Sequence, residues 1–209
     1  MAVKVFIDTN IFVGYLLLSG IAERKTEEEK KKLWKQYKGI QPSYEFMLNL
    51  FKLKNKKARF VTSPLVISEI FNVLHYEAIC KKMWSDGVPL SSWWKKQKNF
   101  ICLLKGFELR EIDKAVDKLQ NEKNLTIIDE IYDFKLISKL IIKFGLMTQD
   151  SILFSTAKSN KCNFFISRDD DFIKNFKLKD KYKKIKVISP EEAIREFFPE
   201  PKKSSQSLN

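Results

Sequence analysis

Aspartate residues follow two hydrophobic segments of the chain at the points where those segments end. Asp8 comes directly after residues 3–7, and three consecutive aspartates at 169–171 come shortly after residues 163–167. In an open parallel sheet, ligands bind beyond the carboxyl ends of the strands, so chemistry is expected at these positions. Neighbouring carboxylates repel one another unless a cation neutralises them, and hard ions such as Mg²⁺ and Mn²⁺ prefer oxygen ligands. The pattern therefore predicts a divalent-metal site, and such sites carry out in-line phosphoryl displacement.

Two further acids lie in segments that are predicted to be helical. Glu69 follows the helix start at Pro64 and borders the apolar face of that helix, where we expect it to be half-buried. A carboxylate in that position needs a partner, because burying an unpaired charge is costly or raises its pKa. Asp150 lies two residues after Thr148, which is predicted to cap the next helix. A metal ion would serve as the partner of both acids.

Each acid also has a simpler explanation when it is taken alone. Asp8 could cap a helix that begins near Ile11, and the aspartates at 169–171 could form a capped turn into a helix at Phe172. Glu69 could pair with a lysine, and Asp150 could be favoured by the dipole of its helix. A divalent-metal site explains all four segments together, in a chain whose excess charge is positive.

Strand and helix patterns alternate along the sequence. Strands are predicted at residues 3–7, 59–62, 125–128, 163–167 and 186–188. Helices are predicted at 11–17, at two segments within 23–57 broken near Gly39 and Pro42, at 64–78 with Ser63 as the cap, in 79–123 with a break at 86–89, at 129–144 ended by Gly145, at 148–159 and at 190–197. This alternation predicts an α/β fold with a mainly parallel sheet.

The composition narrows the classes of protein that the chain could represent. Its 209 residues carry a formal net charge of +13, which favours a polyanionic partner such as nucleic acid. No apolar run is long enough to span a membrane, so a cytoplasmic protein without a membrane partner is expected. Three widely spaced cysteines argue against a disulfide framework and a structural zinc site. His75 is the only histidine, so catalysis would have to depend on carboxylates.

Four motifs, in this order and spacing, resemble the PIN-domain family. Phe-Ile-Asp-Thr-Asn at 6–10 is similar to the opening strand of that family, and Ser-Glu at 68–69 is similar to its second acid. The segment at 146–153 contains the third acid, and Ile-Ser-Arg-Asp-Asp-Asp-Phe at 166–172 resembles the closing strand and its acidic turn. The resemblance covers about residues 1–18, 59–78 and 124–198.

The resemblance implies a fold, a metal site and an activity. The fold would be a PIN-like three-layer domain with about five central strands over residues 1–198, with helical insertions at about 23–57 and 79–123 and a disordered tail at 199–209. The activity would be Mg²⁺- or Mn²⁺-dependent hydrolysis of RNA by an endonuclease, either the toxin of a toxin-antitoxin pair or an RNA-processing enzyme. The metal ligands would be Asp8, Glu69, Asp150 and Asp169, with Asp171 as a fifth catalytic acid, while Asn10 and Ser167 would orient the ligands by hydrogen bonds.

Several alternatives stay open on the sequence alone. RNA is the expected partner, but a structure-specific DNA nuclease or a catalytically silent RNA-binding protein would share these features. An antitoxin protein and a second copy of the chain are further candidate partners. A phosphatase of the haloacid-dehalogenase type is excluded, because it needs a second acid where this chain has Asn10. Trp84, Trp93 and Trp94 are candidates for stacking with bases, or else for packing within the added helices.

Overall fold

The chain folds as an alternation of strands and helices. The computed structural model describes residues 2–22, 25–54, 57–93 and 106–199. The strands are β1 (Val3–Ile7), β2 (Ala58–Thr62), β3 (Leu125–Ile127), β4 (Phe164–Ile166) and β5 (Lys186–Ile188). The helices are α1 (Thr9–Ala22), α2 (Glu27–Gln36), α3 (Gln41–Phe51), α4 (Pro64–Ser85), α5 (Gly106–Gln120), α6 (Phe134–Phe144), α7 (Thr148–Ser159), α8 (Asp170–Ile173), α9 (Phe176–Lys181) and α10 (Pro190–Phe197), with a 3₁₀ turn at Leu90–Ser92.

In the described part of the chain, the strands form one parallel sheet in the order β3-β2-β1-β4-β5. The central strand is β1, where Phe6 lies level with Val61 of β2 and with Phe165 of β4. The predicted α/β fold with a central sheet of about five strands is confirmed. Because β1 and β4 are neighbours and run in the same direction, the residues that follow them, including Asp8 and Asp169, leave the sheet at the same edge.

One face of the sheet packs against α3 and α10. Phe60 and Phe164 lie level with Val5, and both contact Phe197 of α10, with ring centroids 5.6 and 5.1 Å apart. Phe60 also contacts Phe46 of α3, at 5.9 Å. Phe46, Phe60 and Phe164 are buried and Phe197 is partly buried, so these rings remove a large apolar area from water and hold the helices on this side of the sheet.

The opposite face packs against α7 and α8. Phe6 and Phe165 stack with their centroids 5.4 Å apart and their planes 3° from parallel. Phe154 of α7 contacts Phe165 at 5.6 Å, and Phe172 of α8 contacts it at 4.7 Å. Side chains alternate between the two faces along a strand, so the adjacent residues Phe164 and Phe165 belong to different layers. The expected three-layer arrangement is confirmed.

The second half of the segment at 23–57 belongs to the main core. Phe46, Met47 and Leu50 of α3 are fully buried in the core cluster that includes the sheet. Gly14 of α1 permits the close approach of the two helices, because a Cβ atom at this position would lie 3.0 Å from the Cβ atom of Ser43. Helix α3 is therefore structurally required by the fold and is not peripheral.

Two helices are longer than the sequence patterns indicated. Helix α1 begins at Thr9 and continues to Ala22, beyond the predicted 11–17. Helix α4 runs without a break through the predicted helix at 64–78 into the helical segment predicted from residue 79, and it ends at Ser85, where the predicted break at 86–89 begins. Gly87 in that break has a positive φ of 68°. The last turns of α4 pack in a small second cluster in which Ile79 and Met83 are buried.

Three predicted helix caps were wrong in detail. Helix α6 begins at Phe134 and not at 129, because the side chain of Asp133 accepts a hydrogen bond from Leu136 N at 3.0 Å. Thr148 is the first residue of α7, and the preceding Met147 occupies the cap position. Ser63 occupies the cap position of α4, but its side chain forms no capping hydrogen bond. Gly145 ends α6 as predicted, in the left-handed conformation with φ of 72°.

Some expectations concern residues that the structure does not describe. Trp94, Cys102 and the tail at 200–209 lie outside the described residues. Cys162 is buried and Cys80 is half-buried, and both are free thiols. Within the described residues, no helix combines the length and apolar character needed to cross a membrane.

The packing of Phe165 leads to a prediction about stability. Replacing Phe165 with alanine removes a fully buried ring that contacts both Phe6 and Phe154, and leaves a cavity between the sheet and α7. We expect the free energy of unfolding to fall by about 3–5 kcal/mol, measured by denaturant titration. The control is Phe176→Ala, because 74% of the Phe176 side-chain surface is exposed. An equal loss in both variants would contradict the assignment of Phe165 to the core.

Candidate active site

Asp8 occupies the junction between β1 and α1 and is only 3% exposed. Its Oδ1 accepts a hydrogen bond from Thr9 N at 2.7 Å. Its Oδ2 accepts from Ser167 Oγ at 2.6 Å and from Asn10 Nδ2 at 2.9 Å. The side chain therefore does contact the start of α1, as a helix cap would. It also bonds to the end of β4, and a local cap does not explain that contact.

Ser167 and Asn10 connect the ends of β1 and β4. Ser167 Oγ accepts hydrogen bonds from Asp169 N at 2.9 Å and from Asn10 Nδ2 at 3.1 Å, while it donates to Asp8. Asn10 Oδ1 accepts from Arg168 N at 3.0 Å. This network holds the turn that carries Asp169 against the junction that carries Asp8. The two residues thus occupy positions from which they can orient both acids.

Asp169 begins the short helix α8. Its Oδ1 accepts from Asp171 N at 2.8 Å, so the aspartates at 169–171 do form a capped turn. Asp169 is half-buried and Asp171 is exposed. The third member, Asp170, forms an ion pair with Lys174 at 2.7 Å on the exposed surface. Because Asp170 is already paired with a lysine, it is not counted among the acids of the site.

Glu69 is half-buried on α4, as its position on the helix predicted. Its Oε2 accepts a hydrogen bond from Thr9 Oγ1, which joins α4 to the first residue of α1. Among the described residues its partner is thus a neutral hydroxyl and not a lysine. A neutral donor leaves the negative charge of Glu69 uncompensated.

The pKa values of the acids show that their charges act on one another. Burial, together with the charges of Asp150 and Glu69, raises the pKa of Asp8 to about 7, despite the hydrogen bonds from Ser167 and Thr9. Burial and the charges of Asp169, Glu69 and Asp171 raise the pKa of Asp150 to about 6. Burial also raises the pKa of Glu69. Acids from four separate segments therefore form one electrostatic group.

This acid group lacks a cationic partner in the part of the chain that the structure describes. None of the ion pairs there involves Asp8, Glu69, Asp150, Asp169 or Asp171. Nor are any three acidic, histidine or cysteine side chains of residues 2–22, 25–54, 57–93 and 106–199 arranged so that they could hold one metal ion together. The case for a cation therefore depends on two properties of the acid group, its oxygen donors and its uncompensated negative charge. Mg²⁺ and Mn²⁺ bind to sites with both properties.

Comparison with known proteins identifies the family. The PIN domain family matches residues 5–177, a span that contains all five acids of the group. The chain belongs to the PIN-domain family. A protein from Archaeoglobus fulgidus, described as uncharacterized, is 29% identical over 91 residues, which are 44% of this chain and 74% of that protein. PIN domains form a nuclease superfamily and typically use divalent metal ions, so the comparison supports a nuclease at the coarse level.

This PIN domain contains two site residues that the sequence analysis missed. Thr9 was part of the opening motif but received no role, and its contact with Glu69 joins residues 60 positions apart. Glu130 follows β3, and its charge raises the pKa of Glu69. Its Oε1 accepts from Leu65 N, so Glu130 caps α4 where Ser63 does not. Glu130 lies three residues after the end of β3, in the segment at 129–144 that was predicted to be helix, so the search for acids beyond strands did not include it.

The tryptophans that were candidates for base stacking differ in their environments. Trp84 is 69% exposed near the end of α4. Trp93 is half-buried against Ile79 and Met83, and its Nε1 donates to Val88 O at 2.9 Å. Trp93 is therefore a packing residue. Trp84 lies about 22 Å from Glu69 along α4, because an α-helix rises about 1.5 Å per residue.

The raised pKa of Asp8 predicts a pH dependence of stability in the metal-free protein. Because the folded-state pKa of about 7 exceeds the ordinary value of 3.8, the folded protein binds a proton that the unfolded chain releases. The resulting stability is complete below pH 4 and is lost as pH rises to 7. Between pH 5 and pH 8, we expect this group to lower the free energy of unfolding by about 3 kcal/mol.

Urea titrations at pH 5 and pH 8 in EDTA measure this effect. The difference between the two pH values should be smaller in Asp8→Asn than in the wild type, because asparagine does not titrate. Asp117→Asn, which changes an exposed aspartate on α5, should keep the wild-type difference. The same pH dependence in all three proteins would show that Asp8 titrates as an ordinary carboxyl group.

Proposed function

We propose that this protein is a metal-dependent endoribonuclease that hydrolyses RNA phosphodiester bonds. The metal ligands in this proposal are Asp8, Glu69, Asp150 and Asp169, with Asp171 as a further catalytic acid. The observation that carries it is the meeting of acids from four segments without a cationic partner among the described residues, where burial first and the neighbouring acids second raise the pKa of Asp8 and of Asp150. Mg²⁺ or Mn²⁺ would neutralise this charge.

The hydrogen bonds around the acids support this assignment. Thr9, Asn10 and Ser167 are neutral donors, so they orient the carboxylates without neutralising them. In a site built only to stabilise the fold, lysine or arginine would supply the opposite charge more effectively. Neutral donors preserve the negative charge for an external cation.

The roles of the chain's own groups follow from their positions. A divalent cation supplies positive charge at the scissile phosphate and lowers the pKa of water, which removes the need for a histidine base. Asp8 is held rigidly by three donors, so it can fix the position of the reaction centre. Asp150 is half-buried in the first turn of α7, and in this proposal it would hold the cation together with Asp8, Glu69 and Asp169.

The net charge of +13 supports RNA as the partner, because a positive field attracts polyanions. In this proposal, the enzyme acts either as the toxin of a toxin-antitoxin pair or in RNA processing. Copurification of a small protein that inhibits cleavage would support the toxin role. If the protein isolated from its native host carries no such inhibitor and is as active as the purified protein, that result would support RNA processing.

Cleavage assays with matched variants test the proposal. Labelled RNA and DNA, each as single strands and duplexes, are incubated with Mg²⁺, Mn²⁺ or EDTA. We expect cleavage of RNA with either ion and none in EDTA. Asp8→Asn and Asp150→Asn should lower the rate by about a hundredfold or more, and Ser167→Ala by about 10–100-fold, because it removes a group that orients a ligand.

Asp117→Asn is the matched control, since it makes the same chemical change on the exposed surface of α5. Its rate should equal that of the wild type. Preference for DNA would favour a structure-specific DNA nuclease instead. Binding of RNA without cleavage under any of these conditions would favour a catalytically silent RNA-binding protein, and the proposed activity would then be wrong.

A further inference from the structure

Two aromatic side chains are exposed next to each other where the segment after β3 enters α6. Phe134 is 76% exposed and Tyr132 is 50% exposed. Their rings are 23° from parallel, with centroids 6.4 Å apart. Large apolar rings that remain in water contribute little to the stability of a fold, so an exposed, ordered pair indicates a binding role. We call Tyr132 and Phe134 the ring pair.

Hydrogen bonds connect the ring pair to α4, the helix that carries Glu69. The hydroxyl of Tyr132 donates to Glu130 Oε2, while Glu130 Oε1 accepts from Leu65 N. Leu65 lies in the first turn of α4, and Glu69 lies one turn further along the same helix. One carboxylate thus fixes the ring pair relative to the helix that carries Glu69.

A row of lysines begins beside the ring pair. Lys135, Lys139 and Lys143 recur at every fourth residue of α6, so they share one side of that helix, about 6 Å apart along its axis. Within the described residues, none of them forms an ion pair. Unpaired lysines in a row attract the phosphates of a polynucleotide backbone.

We propose that Tyr132 and Phe134 form a stacking platform for an unpaired base of a single-stranded polynucleotide, whose backbone follows the lysine row of α6. This inference rests on the proposed function and assigns residues of this chain that would hold the strand. Every base has a π face, so stacking on Phe134 needs no particular sequence. In a duplex that face is covered by the neighbouring base pairs, so a duplex cannot use the platform.

Binding assays with the full-length protein test the platform. The affinity for a fluorescent single-stranded RNA is measured by anisotropy in EDTA, so that binding is separated from cleavage. The double variant Tyr132→Ala/Phe134→Ala should bind about tenfold more weakly or worse, as expected for the loss of base–aromatic stacking. Its affinity for a strand of equal length without bases should equal that of the wild type, because that strand offers phosphates alone.

Conservative variants distinguish stacking from general apolar contact. Tyr132→Phe keeps both rings but loses the hydrogen bond to Glu130, so it should keep most of the affinity that the double variant loses. Phe134→Leu keeps an apolar side chain but has no π face. Its affinity for single strands should fall almost as far as that of the single variant Phe134→Ala. Trp84→Ala is the matched control, because Trp84 is another exposed aromatic but lies far along α4. It should leave binding unchanged.

Several outcomes would overturn the platform. The double variant could bind single-stranded RNA with wild-type affinity, or lose as much affinity for the strand without bases as for RNA. Phe134→Leu could bind like the wild type. The protein could also be a dimer that the double variant converts to monomers without any change in RNA binding. The last result would assign the ring pair to a contact between copies. RNA binding that depends on the rings in a protein that cleaves nothing would contradict only the proposed function, whereas cleavage with ring-independent binding would contradict only the platform.

Discussion

The buried carboxylate of Asp8 is the constraint on which the rest of the site depends. A negative charge that is only 3% exposed is costly unless it is paired, and within the described residues every hydrogen bond to Asp8 comes from a neutral group. The charges of Asp150 and Glu69 add to that cost, as the pKa of about 7 shows. The fold therefore maintains an arrangement that is unfavourable when these acids are charged and no cation is present. In the proposed function, a divalent cation would supply the missing positive charge.

The topology of the sheet brings the acids together. Because β1 lies between β2 and β4, the chain leaves three adjacent parallel strands at one edge, toward Asp8, α4 and Asp169. The stacked rings of Phe6 and Phe165 fix the spacing of β1 and β4 just before that edge. Ser167 then joins the two strand ends by hydrogen bonds. The packed core therefore extends up to the site. Its rigidity holds the mutually repelling carboxylates in place.

The strands, their mainly parallel arrangement and the candidate acids could be predicted from the sequence. The signals for them are local, because they are the pattern of apolar residues and the presence of acids just after strands. The sequence did not predict contacts between distant segments. Thr9 bonds to Glu69 and Glu130 caps α4 across 60 and 65 residues, and no local pattern records such pairings. The sequence indicated helix on both sides of residue 78 but not that the two segments form the single helix α4. The interpretation of 129–133 as helix hid both Glu130 and the exposed ring of Tyr132.

Proton release on metal binding tests the central claim most directly. If the acid group holds a divalent cation, Mn²⁺ must displace the proton that Asp8 binds near neutral pH, since a ligand carboxylate is deprotonated. Calorimetric titration of Mn²⁺ at pH 6, in buffers with different ionisation enthalpies, counts the released protons. The account predicts release at pH 6 that disappears by pH 9 and is reduced in Asp8→Asn. Binding without proton release at pH 6, or no binding of Mn²⁺, would contradict it.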